Sequence, residues 1–447
     1  MCMRVLQRCP KLLVYMTFET RSIAPILSAY RSRNPYRQSF RMDRRLSILA
    51  VGMFAMGTDN FVVAGILPGV AASLHTSVAL AGLMVTCYAF TYAIAAPIMA
   101  ALAGRWPRKL LLVSALGIFV AGNVLSALAT DLGVVLFSRA LAGFGAALFS
   151  PTALGVASAL ATPERRGRAL AAVTAGLTGA TALGSPLGTF IGGFGGWRST
   201  LWFVAALGAV AMIGVWTMLP AVPRPAPVGL RERIAPMRDA RIALTLLTSL
   251  FAFGGFLMVY TYAGVVLQRV THGDERMLAA LFLLWGVAAT AGNFIAGRLV
   301  DRFDSRRVID AMLWIAIVNF CLLPWTAAHV FGAIVALTIW GLCGWGLIVP
   351  QQHRLVHAAP QVAPLVLALN NTATYIGLAG SGVLGGLVLR TIDARYLSVV
   401  AAALIVVAFV CAEAAYRRMR APAAIDRTTP DTRIETRVLT TPVEHGE

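Results

Sequence analysis

The sequence predicts an all-α membrane protein with twelve transmembrane helices in two pseudo-symmetric halves of six. Of its 447 residues, 58% are hydrophobic and 13% charged, with a mean hydropathy of +0.75, whereas soluble domains are near half apolar and a quarter charged. Apolar runs of about 20 residues, the length of a helix that crosses a bilayer core, recur along the chain. They lack the alternation of barrel strands.

The apolar runs define the helices in order. The predicted spans are 47–70, 79–102, 110–129, 133–158, 169–192, 198–219, 243–267, 278–298, 307–326, 330–352, 363–389 and 396–416. A Pro- and Arg-rich stretch at 221–241 divides them six and six and predicts a cytoplasmic linker between bundles 43–220 and 242–418.

The two ends of the chain differ from the spans. Residues 1–42 are basic and lack the apolar core and cleavage pattern of a signal peptide. They form a cytoplasmic tail or precede a true start at Met42, since "MDRRLSILA" leads directly into the first span. Residues 419–447 are polar and predict a disordered cytoplasmic tail.

The basic charge predicts topology. The formal net charge is +19, and the Lys and Arg residues concentrate on one side of the predicted membrane. Those on the other side are Arg198, Arg269, Arg276, Arg390 and Arg395. This asymmetry follows the positive-inside rule and predicts a multi-pass protein of a bacterial inner membrane with both termini cytoplasmic. We therefore expect contact with anionic lipid and no nucleic-acid partner, and the scattered cysteines predict no metal site.

Two charged side chains lie deep in the predicted spans, Asp59 in "GTDN" and Arg139 in "SRALAGFG". They lie about 16 and 10 Å from the outer ends of their helices, so they can pair if spans one and four are neighbours. A carrier driven by protons would need a group that titrates while facing alternate sides, and Asp59, paired with Arg139, is the leading candidate for proton coupling by elimination. The alternatives are a fixed ion-pair strut or helix cap at Asp59 and a structural pin at Arg139.

Polar and aromatic residues within the spans are the candidates for contact with a small-molecule substrate. They are Asn60, Tyr88, Tyr92, Tyr260, Tyr262, Trp345, Asn370, Asn371 and Tyr375. Tyr88 and Tyr92 are four residues apart and share a helix face. The alternative roles are interface belts for the aromatic residues and interhelical hydrogen bonds for the asparagines.

The fifth span carries a face of small residues. Gly176, Gly184, Gly188 and Gly192 are separated by multiples of four, so they lie on one side of the helix, where another backbone can approach closely. Pro186 adds a bend. We expect this face to pack against another helix of the bundle.

The short loop "GRLVDRFDSRR" after the eighth span resembles the loop signature of the major facilitator superfamily. The resemblance implies a close helix contact at Gly297 and a charged cytoplasmic latch formed by Asp301, Arg302 and Arg306. The corresponding first-half loop, "AGRWPRK", keeps Arg105 and Arg108 and has Gly104 in place of the acid.

Further motifs extend this resemblance from Asp43 to Arg418. "GTDNFVVAGILP", "SRALAGFG" and "GSPLG" together resemble twelve-span drug:proton antiporters, near the sugar, nucleoside and chloramphenicol-type exporters. This implies the major facilitator fold, export by alternating access, a proton gradient in place of any cofactor, no enzymatic activity and a monomer. The alternatives are a proton symporter that imports a metabolite and a non-transporting sensor built on a carrier fold.

Overall fold

The computed structural model describes residues 43–102, 106–222 and 229–420, and its regular elements there are all helical. Within these ranges twelve helices are long and apolar enough to cross a membrane. They are α1 (Arg44–Ser73), α2 (Val78–Leu102), α3 (Arg108–Leu128), α4 (Leu132–Leu160), α5 (Pro163–Gly195), α6 (Trp197–Met218), α7 (Ala240–Thr261), α8 (Glu275–Arg302), α9 (Ser305–Thr326), α10 (Val330–Ala358), α11 (Pro360–Thr391) and α12 (Ala394–Arg420).

The twelve predicted spans correspond one to one with these helices, and α4, α7, α8 and α9 begin before the apolar runs because polar caps lie there. Asp131, Asp239, Asp274 and Asp304 precede α4, α7, α8 and α9, and each carboxylate accepts a hydrogen bond from a backbone N–H of the first turn. At Asp239 the side-chain hydrogen bond from Arg241 also holds the pKa of the carboxyl below its ordinary value.

The seventh span is shorter than the apolar run predicts. The run reaches residue 267, but α7 ends at Thr261 because Tyr262 leaves the helical conformation, at φ −106° and ψ 20°. Two short helices follow, Ala263–Val266 and Gln268–Thr271. The apolar run continues through this break, so hydropathy alone does not reveal it.

Helix pairing repeats with an offset of six. In the first bundle α1 packs on α5 and α6, α2 packs on α4, and α3 packs on α4 and α6. In the second bundle α7 packs on α11 and α12, α8 packs on α10, and α9 packs on α10 and α12. Each pairing in one bundle therefore has its counterpart six helices later, as expected of pseudo-symmetric halves.

The two bundles meet mainly through α2 with α11 and through α5 with α8. We call the end at which α1 begins the basic end and the opposite end the far end. The Thr86 hydroxyl of α2 donates to the Ala379 carbonyl of α11 over 2.9 Å, in the far half of both helices. Gly286 of α8 abuts the backbone of Thr181 and Ala182 in α5. The bundles are thus held together from the midpoint to the far end.

Candidate proton and substrate site

A buried ion pair joins α1 to α4. Arg139 Nη1 lies 2.6 Å from Asp59 Oδ1, and Nη2 lies 3.4 Å from the Asp59 carbonyl oxygen. The side chains are 1% and 0% exposed. The contact expected between spans one and four is confirmed. An arginine keeps its charge at this depth, so the carboxylate is the group that satisfies it.

Two further side chains surround the pair. The guanidinium of Arg139 lies 4.8 Å from the centre of the Tyr88 ring, a cation–π contact. Asn123 of α3 lies beside the Asp59 carboxylate, and its amide nitrogen donates to the Phe119 carbonyl over 3.1 Å. Asn123 was not predicted, although an asparagine within an apolar span is the signal that identified Asn60. The structure therefore places Tyr88 against the ion pair.

A polar and aromatic group lies between the bundles. The rings of Tyr92 and Tyr375 stack with centroids 3.7 Å apart and an interplanar angle of 14°. The Asn371 amide donates to the Tyr92 hydroxyl over 3.3 Å. Asn60, next to the ion pair in sequence, is half-buried, and its side-chain oxygen has no hydrogen-bond partner in the described part of the chain. These four predicted residues offer uncharged polar groups and ring faces near the middle of the molecule.

Tyr260 of α7 links the bundles on the side where α5 meets α8. Its hydroxyl lies 2.7 Å from the Ser185 hydroxyl of α5, which donates to the Phe61 carbonyl of α1 over 3.3 Å. Trp345 packs edge-on against Phe61 with ring centroids 5.5 Å apart. Ser185 occupies the position before Pro186, and its role as a polar contact across the bundles was not predicted.

Two of the predicted substrate residues lie elsewhere. Tyr262 is 1% exposed, donates its hydroxyl to the Gly382 carbonyl over 2.6 Å, and packs on Gly82 and Gly385 toward the far end. Asn370 accepts a hydrogen bond from Ser249 over 2.6 Å inside the second bundle. Both side chains are therefore engaged in packing or hydrogen bonding. The sequence did not indicate these partners, because position along a helix gives the depth of a side chain but not the direction in which it points.

The glycine face of α5 packs on α1. A Cβ at Gly176, Gly184 or Gly188 would meet Ala50, Thr58 or Val62 of α1, and one at Gly192 would meet Ile66 at 3.4 Å and Thr200 of α6 at 2.9 Å. The α1 glycines Gly57 and Gly65 face α5 in return. The predicted packing face is confirmed. A π-helical turn at Ala180–Gly184 precedes the buried Pro186, and such turns are frequent at functional sites.

The predicted latch is not formed in this conformation. A Cβ added at Gly297 would meet nothing within 4 Å, so the expected close helix contact is absent there. Asp301 and Arg302 are exposed, and no ion pair involves either of them in the described ranges. Arg306 instead binds Glu413 of α12 through two hydrogen bonds of 2.8 Å.

The first-half loop is described only in part. Arg105 lies outside the described residues. Arg108 begins α3 and lies against Gly155 of α4, where a Cβ would come within 2.6 Å of its Nη1 atom. Its contact is thus within the first bundle, because the guanidinium fills the space that the glycine leaves. The interbundle latch remains a prediction for the conformation in which the basic ends approach each other.

The fold and the buried pair define a class of protein, the twelve-helix membrane carrier built from two repeated bundles. Residues 49–381 match the family model described as Major Facilitator Superfamily, and the chain belongs to this family. It is therefore a multi-pass membrane transporter of small molecules and not an enzyme.

Relatives agree with this assignment, and a solved structure shares the fold. The chain is 30% identical over 344 residues to the inner membrane transport protein YdhP of Escherichia coli strain K12, covering 77% of this chain and 88% of YdhP. It is 24% identical over 361 residues to the probable sugar efflux transporter of Helicobacter pylori strain P12, covering 80% and 92%. A bacterial homologue of the lysosomal transporter Spinster, solved in an inward-facing and unoccupied conformation, superposes with a TM-score of 0.68 at 17% identity, covering 85% and 98%.

Proposed function

We propose that the protein is an inner-membrane antiporter that exports small organic molecules, drug-, sugar- or nucleoside-like, in exchange for protons. The observation that carries the proposal is the buried Asp59–Arg139 pair between α1 and α4. In the described ranges the other carboxylates lie near helix ends or in connecting segments. Asp59 is therefore the carboxylate placed to bind a proton at the centre of the carrier.

Protonation of Asp59 changes what holds α1 to α4. As a carboxylate, Asp59 neutralises Arg139 and accepts the hydrogen bond from Nη1, while the Asp59 backbone carbonyl accepts from Nη2. As a carboxylic acid it loses most of the charge attraction, and Arg139 must then find another acceptor in a low-dielectric surrounding. The Tyr88 ring and Asn123 are the neighbouring groups. A proton thereby shifts the balance between two packings of α1 against α4, which is the coupling that antiport requires.

The positive-inside rule makes the basic end cytoplasmic, so contact at the far end corresponds to an inward-facing conformation with both termini in the cytoplasm.

Two observations support export. Pro186 lies in a glycine face that resembles that of exporters, and one relative carries the name probable sugar efflux transporter. The proton gradient supplies the energy, the carrier works as a monomer in contact with lipid, and nucleic acid is not a partner.

The proposed substrate site comprises Tyr92, Asn371 and Tyr375, which contact one another between the bundles, together with Asn60, Tyr260 and Trp345. Ring faces and amide groups suit a compact molecule with apolar surface and a few hydrogen-bonding groups. A substrate that enters between the Tyr92 and Tyr375 rings must separate them from their 3.7 Å stacking distance. Binding is thus coupled to movement of α2 relative to α11.

Inside-out vesicles test the proposal. Vesicles are prepared from cells that overproduce the protein, and a pH gradient is imposed so that the vesicle interior is acidic. A panel of antibiotics, sugars and nucleosides is then added, with vesicles lacking the protein as the control. Export by antiport predicts that at least one compound accumulates and that accumulation consumes the gradient. A compound of the panel that intact cells take up through the protein, and that does not accumulate in the vesicles, would instead indicate the importing symporter.

A further inference from the structure

Two histidines near the basic end of α10 point their ring nitrogens at each other. His353 Nε2 and His357 Nε2 lie 3.0 Å apart, and the ring centroids are 4.3 Å apart. The residues are four apart, so they share one face of the helix. Both side chains are exposed, and their rings are accessible from the aqueous side.

This spacing is slightly shorter than that of two nitrogens bound to one metal ion. Imidazole nitrogens lie about 2.0–2.1 Å from Zn²⁺ and subtend a near-tetrahedral angle, which places two of them roughly 3.3–3.4 Å apart. In the absence of metal, a 3.0 Å contact between two imidazole nitrogens holds one shared proton. A divalent ion would displace that proton, and both rings would turn so that their nitrogen lone pairs meet at the ion and not along the line between the nitrogens.

A carboxylate is available nearby. Asp301 and Asp304 both act electrostatically on His353, and α8 packs against this part of α10. Asp304 is committed, because its carboxylate accepts from the Arg306 N–H and the Ser305 hydroxyl. Asp301 is exposed and has no ion pair in the described ranges. Among the described residues no set of three His, Cys, Asp or Glu side chains is already assembled, and Asp301 must rotate to reach the two histidines.

We propose that His353, His357 and Asp301 form a site for a divalent transition-metal ion of the Zn²⁺ type at the basic end of the second bundle. Water completes the coordination, as it does in zinc sites with three protein ligands. Nitrogen ligands select borderline ions such as Zn²⁺ over Mg²⁺ and Ca²⁺, which prefer oxygen.

The site has a consequence that rests on the proposed function. Asp301 is the acid that the loop signature assigns to the cytoplasmic latch, which forms when the basic ends of the bundles approach each other. A metal ion that binds Asp301 together with α10 removes this acid from the latch. Bound Zn²⁺ therefore favours the inward-facing conformation and inhibits transport.

Zinc binding by the purified full-length protein tests the site without any transport assay. The protein is prepared without a histidine tag and titrated with ZnCl₂ in a calorimeter. We expect one ion per chain, and an affinity lowered about tenfold or more in His353→Gln and in His357→Gln. Asp301→Asn should lower it several-fold, while His329→Gln, at an exposed histidine of the far end, should leave it unchanged. Zinc affinity that is unaltered in both α10 variants overturns the site, and an unaltered Asp301→Asn variant overturns the third ligand.

Transport in inside-out vesicles tests the consequence. There the basic end faces the medium, and Zn²⁺ should inhibit accumulation of the transported compound reversibly, with EDTA restoring it. The double variant His353→Gln/His357→Gln should transport normally and resist Zn²⁺. Equal inhibition of wild type and double variant overturns the regulatory role. Failure of the proposed function is distinguishable, because it abolishes transport and leaves calorimetric zinc binding intact.

Discussion

At the residue scale, the ion pair between Asp59 and Arg139 joins α1 to α4. Arg139 is 1% exposed and its guanidinium cannot lose its charge to suit its surroundings. Asp59 supplies the opposite charge at 2.6 Å, so each side chain stabilises the charge of the other at this depth. This mutual dependence was predictable from the charges in the spans, because two ionisable groups at similar depth in neighbouring helices have few other partners.

Removing one member of the pair should therefore cost more stability than removing both. Arg139→Leu leaves a buried carboxylate without its partner, and we expect a loss of about 3–5 kcal/mol in the free energy of unfolding. The double variant Asp59→Asn/Arg139→Leu should recover part of that loss. Thermal unfolding in detergent measures the difference, and a double variant less stable than Arg139→Leu would contradict a mutually dependent pair.

Neighbouring asparagines in α11 provide a second residue-scale prediction. Asn371 hydrogen-bonds Tyr92 between the bundles, whereas Asn370 accepts from Ser249 inside the second bundle. Asn371→Ala should raise the KM of the transported compound several-fold with little loss of thermal stability. Asn370→Ala should lower the unfolding temperature by leaving a buried partner unsatisfied, at about 1–3 kcal/mol. The reverse pattern of KM and stability would contradict the assignment of Asn371 to the substrate group.

At the element scale, α5 packs on α1 through glycines on both helices. The spacing of four along α5 predicts which face is small, and the structure confirms it. Spacing does not reveal the π-helical turn at Ala180–Gly184, since the extra residue leaves hydropathy unchanged. The turn places Ser185 where its hydroxyl meets both Phe61 and Tyr260.

A bulky residue on this face should separate the helices. Gly188→Val adds a side chain that meets Val62 and, at 3.2 Å, Thr200, and overpacking of this kind costs about 1–3 kcal/mol. Gly380→Val is the matched control in α11, because a Cβ there meets nothing within 4 Å. Unfolding temperature and transport should both fall in Gly188→Val alone. Equal effects of the two substitutions would show that helix propensity, and not the α1–α5 contact, is responsible.

The contacts that several other side chains make were not predicted, for a common reason. Asn123, Tyr262 and the Arg306–Glu413 contact all depend on the direction a side chain takes after its helix is placed. Sequence periodicity identifies a face but not the neighbour that the face meets. The contacts of Asp59 and of the glycine face could be predicted from the sequence, because a buried charge or an absent side chain can be matched by few kinds of partner.

At the scale of the whole molecule, the helix pairings repeat six helices apart, while the bundles touch from the midpoint to the far end. Hydropathy and the linker composition predict the six-plus-six division, but no sequence pattern indicates which end is closed. Alternating access requires both closures in turn, and the structure shows one of them.

Holding the far end closed should stop transport. Arg276 of α8 lies over the Phe194 ring of α5, with Cζ 4.7 Å from its centre, so it bridges the bundles there. In a background without native cysteines, Phe194→Cys/Arg276→Cys joined by a thiol-reversible bifunctional reagent should lose transport and regain it on reduction. Each single-cysteine variant, treated in the same way, is the control. Undiminished transport by the cross-linked protein would contradict opening at the far end.

Proton coupling through Asp59 is the central claim, and reconstituted liposomes test it most directly. With a compound that the vesicle panel identifies, wild-type protein should catalyse both transport driven by a pH gradient and exchange of labelled for unlabelled compound without a gradient. Asp59→Asn should lose the gradient-driven transport and retain the exchange, because the substrate group remains while the proton site is removed. Full gradient-driven transport by Asp59→Asn would contradict proton coupling at this carboxylate.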